Sequence, residues 1–133
     1  MKVLTLSIKQ KWFDEILAGK KTQEFREIRP PHGNRYYQYE LNGKLYANAD
    51  LLPSEEDEPG EVNVVPVKYD AIKFLTGAYV GKRPWALVEV KGAQIEYFCD
   101  EEGNDIVYEY QGKEYIAAQI IFDLGKVLDK SDY

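Results

Sequence analysis

Residues 19–30 read Gly-Lys-Lys-Thr-Gln-Glu-Phe-Arg-Glu-Ile-Arg-Pro, the densest run of chemistry-capable side chains in the chain. On a strand, alternate residues share a face, so Thr22, Glu24 and Arg26 fall on one side and Lys21, Gln23 and Phe25 on the other. With Phe25 turned to a core, Glu24 and Arg26 face a groove or water. Lys21 lies nearer the preceding turn, so its long stem can reach either side. Like charges at Lys20 and Arg26 favour a neutral, nucleophilic amine at Lys21. The same cluster can bind without catalysing, since an Arg fork and a Lys grip phosphate and a carboxylate accepts a hydrogen bond from a base amino group. A surface ladder of alternating charges is the reading that needs no ligand.

Other chemistries are excluded by residue type. There is one histidine, His32, in a Pro-Pro-His-Gly loop, and one cysteine, Cys99. That leaves no His-rich or Cys-rich metal set, no internal disulfide and no Ser-His-Asp triad. No Walker lysine loop and no G-x-G-x-x-G occurs. The expectation is a protein without cofactor or metal.

The 133-residue chain has a net charge of −6, which at first argues against a nucleic-acid partner. Its distribution argues the other way. Residues 1–35 carry eight Lys and Arg against four Asp and Glu, net +4, and the remainder is net −10. Local potential steers a ligand more than the total does. Eleven tyrosines are present, and Tyr36, Tyr37 and Tyr39 follow directly on Arg29 and Arg35, an arrangement suited to base stacking. The alternative is that they are ordinary strand residues with polar tips.

The elements that must position these groups follow from periodicity. Val3, Leu4, Leu6 and Ile8 predict a short first strand. Ile8, Trp12, Phe13, Ile16 and Leu17 recur at a period of 3.6 and predict a helix, with Trp12 in the core beneath it and Gly19 as its left-handed terminus. Residues 21–28 predict a strand stopped by Pro30-Pro31. Residues 36–53 predict a hairpin around Asn42-Gly43. Residues 54–60 form an acidic loop. Further strands are expected over 69–75, over 84–90 with extension to 98, and in a second hairpin, 106–110 and 115–124, around 111–113. One helix and six or seven strands exclude a doubly wound parallel sheet, and favour a small mixed β-barrel with the helix against its end. The length suits a single domain over 1–133. No apolar run approaches the ~20 residues of a membrane span. The opening stretch is too short for a signal peptide, and a reducing cytoplasm is the expected setting.

The segment Leu6-Ser7-Ile8-Lys9, the helix with Trp12 and Ile16-Leu17, and then Gly19-x-Lys21-x-x-Glu24-x-Arg26 resemble the ASCH domain, a branch of the PUA-like superfamily. The extension Phe25-Arg26-Glu27-Ile28-Arg29-Pro30 is similar to ASCH proteins, as are residues 69–77, Arg83-Pro84 with residues 86–90, and residues 120–128. Residues 36–66 and 99–115 exceed a minimal member and read as elaborations. The resemblance implies an α+β fold: a small PUA-like mixed β-barrel with one main N-terminal helix and inserted hairpins. It implies a cleft between helix and barrel that binds RNA, a nucleotide or a modified nucleoside through Lys9, Lys21, Glu24, Arg26 and Arg29. One branch resembles amidohydrolases that remove the acetyl group of N4-acetylcytidine with a Lys and a Thr. The Lys falls on Lys21, whereas Glu24 stands where that branch has Thr, and its later catalytic Glu has no placed counterpart. A hydrolase using Lys21 and Glu24 is thus the alternative, with RNA cleavage and a protein-interaction module resting on the acidic body as further ones.

Overall fold

The computed structural model describes residues 1–77 and 83–131. In chain order the elements are β1 (Val3–Ser7), α1 (Gln10–Leu17), β2 (Gln23–Ile28), β3 (Tyr37–Leu41), β4 (Lys44–Tyr46), β5 (Val62–Pro66), β6 (Ala71–Leu75), β7 (Trp85–Tyr97), β8 (Val107–Tyr110), β9 (Lys113–Ile116) and β10 (Ala118–Lys130). Short 3-10 turns occupy Gly33–Arg35 and Ala49–Leu51. The chain is mostly strand, with one α-helix among the described residues, an α+β composition. Among the described residues no helix is long and apolar enough to cross a membrane.

Two compact units divide the chain. The first comprises Met1–Glu24, Lys68–Ala93 and Ile121–Tyr133. Its strands belong to a sheet of order β1-β6-β7-β10-β2. β1 runs parallel to β6, pairing Val3 with Ala71 and Ser7 with Leu75, and β6 runs antiparallel to β7. Leu4 and Leu6 alternate inward from β1 and join Ile72, Phe74, Val88 and Phe122 in a buried core.

Helix α1 adds Phe13 and Ile16 to that core. Burying a phenylalanine this completely contributes about 3–5 kcal/mol by the usual cost of its truncation. Successive helical residues are about 100° apart, so Trp12 lies some 70° off the centre of the Phe13–Ile16 face. Trp12 is accordingly 39% exposed, which corrects its expected place in the core. The helix ends as its sequence suggests. Gly19 takes φ +75, its N–H donates to the Ile16 carbonyl, and the Lys20 N–H reaches back to Glu15. This closing motif requires a left-handed residue, and glycine occupies that conformation without a Cβ penalty.

The second unit comprises Phe25–Val67 and Gln94–Ile120. Its three-stranded sheet has the order β4-β3-β5. Asn42 and Gly43, at φ +51 and +86, make the tight turn joining β3 to β4. The Glu40 carboxylate accepts from Asn63 Nδ2 at 3.0 Å and from the Gly43 N–H at 2.7 Å. Those two bonds, the Asn63 one foremost, hold its carboxyl below the ordinary carboxylate range. Gln111 and Gly112 turn the β8–β9 hairpin in the same way. The acidic loop opens on Ser54, whose Oγ accepts from the Asp57 N–H at 3.2 Å.

Candidate functional site

Dividing the charges by unit sharpens the asymmetry of the sequence. The first unit holds twelve Lys and Arg against eight acids, net +4, and the second holds five against fifteen, net −10.

In the first unit, the functional groups gather along α1. The loop leaving Gly19 returns Lys21 toward the helix, where its Nζ lies 5.3 Å from the centroid of the Trp12 ring. Lys11 Nζ stands 4.7 Å from the same ring. An exposed indole thus carries two ammonium groups, each favoured by the ring quadrupole. Lys21 Nζ also lies 3.7 Å from Glu24 Oε1, with the two side chains 17% and 8% exposed. The carboxylate is the buried member and the ammonium the reachable one.

Glu24 is 6% exposed and Phe25 46% exposed, the reverse of the sequence expectation. Two apolar residues of β2, Phe25 and Ile28, fall on opposite faces, so only one can turn inward. Ile28 does, and it takes Glu24 and Arg26 with it by parity. Phe25 is left outside, and the carboxylate is buried against Lys21.

A wide hollow of about 800 Å³ opens at the start of α1, lined by Ser7, Ile8, Lys9, Gln10, Thr76, Gly77 and Arg83. Arg83 is braced there: its Nε donates to the Thr76 carbonyl at 3.3 Å, and its Nη2 donates to Ser7 Oγ at 3.3 Å. Thr76 Oγ1 donates to Gln10 Oε1 at 3.2 Å. No acidic residue occupies the first turn of α1. Lys9, Arg83 and the helix start therefore present positive potential to one concavity.

The second unit has its own concavity, about 300 Å³, walled by Tyr37, Tyr39, Tyr97, Tyr108 and Tyr115 with aliphatic residues between them. Tyr37 and Tyr39 meet edge to face at 5.9 Å, and Tyr108 stacks on Tyr115 at 5.8 Å. Burial, followed by the neighbouring Tyr39, pushes the Tyr37 hydroxyl up to about 12.

Of the sequence-designated residues, Lys21 and Glu24 are brought together. Lys9 lines the hollow at the helix start. Arg26 is half-buried on β2 and belongs, with Arg29, to the second unit. Arg29 is exposed, pairs with Glu27 Oε1 at 2.7 Å and lies 5.3 Å over the Tyr108 ring. Neither hollow includes Lys21, Glu24 or Arg26 in its lining. His32 is an exposed loop residue. Gln10, Thr76 and Arg83 are not among the site residues the sequence points to, and Trp12 is expected there in the core rather than as a stacking platform. The helical period could have flagged Trp12 as a boundary position. No local signal joins Thr76 to Gln10, 66 residues away. Compared with known proteins, the chain matches no family model, no curated protein and no solved structure.

Proposed function

We propose that this protein binds RNA, or a nucleotide or modified nucleoside, on the α1 face of its basic unit. The observation that carries the reading is Trp12: an exposed indole flanked by Lys11 and Lys21, with Lys21 held by the buried Glu24 carboxylate. A base stacks on the indole and the ammonium groups meet phosphate, while the buried Glu24 carboxylate orients Lys21. Lys9 and Arg83 supply further anion contacts at the helix start. Arg26 and Arg29, expected as ligand contacts from the resemblance to the ASCH signature, belong to the second unit and are not part of this face.

Fluorescence anisotropy of labelled single-stranded RNA across a salt series tests this, beside competition by nucleotides and nucleosides. Each phosphate contact contributes a slope of about −0.7 in log affinity against log salt. Trp12→Ala removes one stacking platform, worth about 1–3 kcal/mol, or a roughly 5- to 150-fold loss of affinity. Glu56→Ala in the acidic loop leaves affinity unchanged. Salt-independent binding, no binding across the panel, or full affinity in Trp12→Ala rejects the reading.

The 3.7 Å separation of Lys21 and Glu24 favours a second reading, hydrolysis of an N4-acylated cytidine. Water adds to the acyl carbon, the C–N bond breaks, and the carboxylic acid and free amine leave. Turnover of an acylated cytidine that disappears in a folded Lys21→Ala variant supports it, and its absence at high enzyme concentration removes it.

A further inference from the structure

The tyrosine-walled pocket of the second unit lies outside the α1 face and is not used by the proposed function. Its walls come from three separate stretches of sequence: Tyr37 and Tyr39 on β3, Tyr97 on β7, and Tyr108 and Tyr115 on the β8–β9 hairpin. Tyr37 is near enough to feel Tyr39, Tyr115 and Tyr108 electrostatically, so the rings converge on a common space. Its volume, about 300 Å³, sits at the small end of ligand pockets.

Charge decides what kind of guest fits. The unit that holds the pocket is net −10, and Glu114 is the one charged residue in the pocket's lining among the described residues. A phosphate-bearing ligand is repelled by that field, whereas a cation is drawn in. Aromatic faces carry negative potential and attract a cation without the hydration that a buried carboxylate demands. One ring of the wall already does this, since the Arg29 guanidinium lies over Tyr108 at 5.3 Å, itself balanced by Glu27 at 2.7 Å. A bulky cation with little hydration to lose, carrying methyl groups that match the aliphatic gaps between the rings, satisfies all of these features.

We propose that the five tyrosines form an aromatic cage for a quaternary ammonium group. The group can arrive on a free small molecule or on a trimethylated lysine side chain of another protein, and the chemistry recognised is the same.

Calorimetric titration of the whole chain with choline and with its uncharged carbon isostere, 3,3-dimethyl-1-butanol, tests the cage, because the two differ only in charge. Choline is expected to bind roughly thirty-fold tighter than the isostere, the scale of a desolvated cation–π contact. The amide of N-acetyl-trimethyllysine forms the second arm: tighter binding than choline assigns the cage to a modified protein side chain, and tighter choline binding assigns it to a small molecule. Tyr115→Leu keeps apolar bulk, removes the ring, and reduces choline affinity at least five-fold. If that variant does not fold, the isostere comparison on the unaltered chain carries the test. Equal binding of choline and isostere, preference for cytidine over choline, or no binding of either cation overturns the proposal. RNA binding on the α1 face stands or falls separately, since it is read by a different probe.

Discussion

Glu24 and Lys21 can be removed singly and together to measure how strongly they hold each other. The perturbations are Glu24→Gln, Lys21→Met and the double variant, which delete charge with little change in size. At the observed 3.7 Å, the Coulomb attraction is about 1 kcal/mol at the dielectric of water and about 4.5 kcal/mol at an effective value near 20. The side chains are 17% and 8% exposed, so the pair sits between those limits, with some of the attraction offset by the cost of burying Glu24. A coupling of about 2 kcal/mol is expected from the double-mutant cycle. Urea denaturation followed by fluorescence is the assay, with midpoint shifts of roughly 1 M for a domain whose slope is about 2 kcal/mol per molar. Molar salt should leave most of the coupling in place, because buried pairs are weakly screened. A coupling below ~0.5 kcal/mol, the scale of exposed ion pairs, refutes the view that Glu24 anchors Lys21 beside Trp12.

Two other outcomes follow from the second unit. A Cβ at Gly33 would lie 2.6 Å from Tyr37 Cε1 and 3.1 Å from its Cζ, so Gly33→Ala must push that ring aside. The variant should lose about 1–3 kcal/mol in thermal denaturation and weaken choline binding at least five-fold; unchanged values in both show that the ring has room. Tyr37 is raised to about 12 in the folded chain, against an ordinary value of 10.0. The folded state therefore holds this proton more tightly than the unfolded state, and the associated stability is complete below pH 10 and declines as pH rises toward 12. Urea midpoints of the unaltered chain should fall faster over that window than those of Tyr37→Phe, and parallel decline contradicts the assignment.

Local signals were readable wherever the chain closes on itself over few residues. The helix with its Gly19 terminus, the Asn42-Gly43 hairpin, the turn at 111–112 and the long strand through residue 97 all follow from period and turn chemistry, but the expected hairpin arm 115–124 divides at Ala117 into β9, paired with β8, and β10, in the five-stranded sheet. β5 was not readable. It is an edge strand of the β4-β3-β5 sheet, Val62 and Val64 stay exposed, and it ends at Pro66, so no buried face marks it. The inward face of β2 is ambiguous in the sequence, because Phe25 is the larger apolar residue, whereas in the structure Ile28 decides the inward side. Lys21 and Glu24 lie three residues apart, and their pairing could be proposed from spacing alone. The tyrosine cage could not, since Tyr37 and Tyr115 come together only through tertiary folding.

The division of the chain into units also bears on its synthesis. The second unit draws only on residues 25–67 and 94–120, whereas the first needs both the opening 24 residues and those from 121 onward. Its main-chain bonds already span great separations, such as the Asp70 N–H to the Lys2 carbonyl at 2.8 Å. Phe122 and Leu124, part of its core, are translated after every residue of the second unit. Domains generally fold as units during synthesis, and here the unit holding residues 1–24 is the later of the two to have all its residues. Until residues 121–124 follow, Leu4, Leu6 and Phe13 lack part of the core that covers them, so the first unit closes only after the residues of the second are all made.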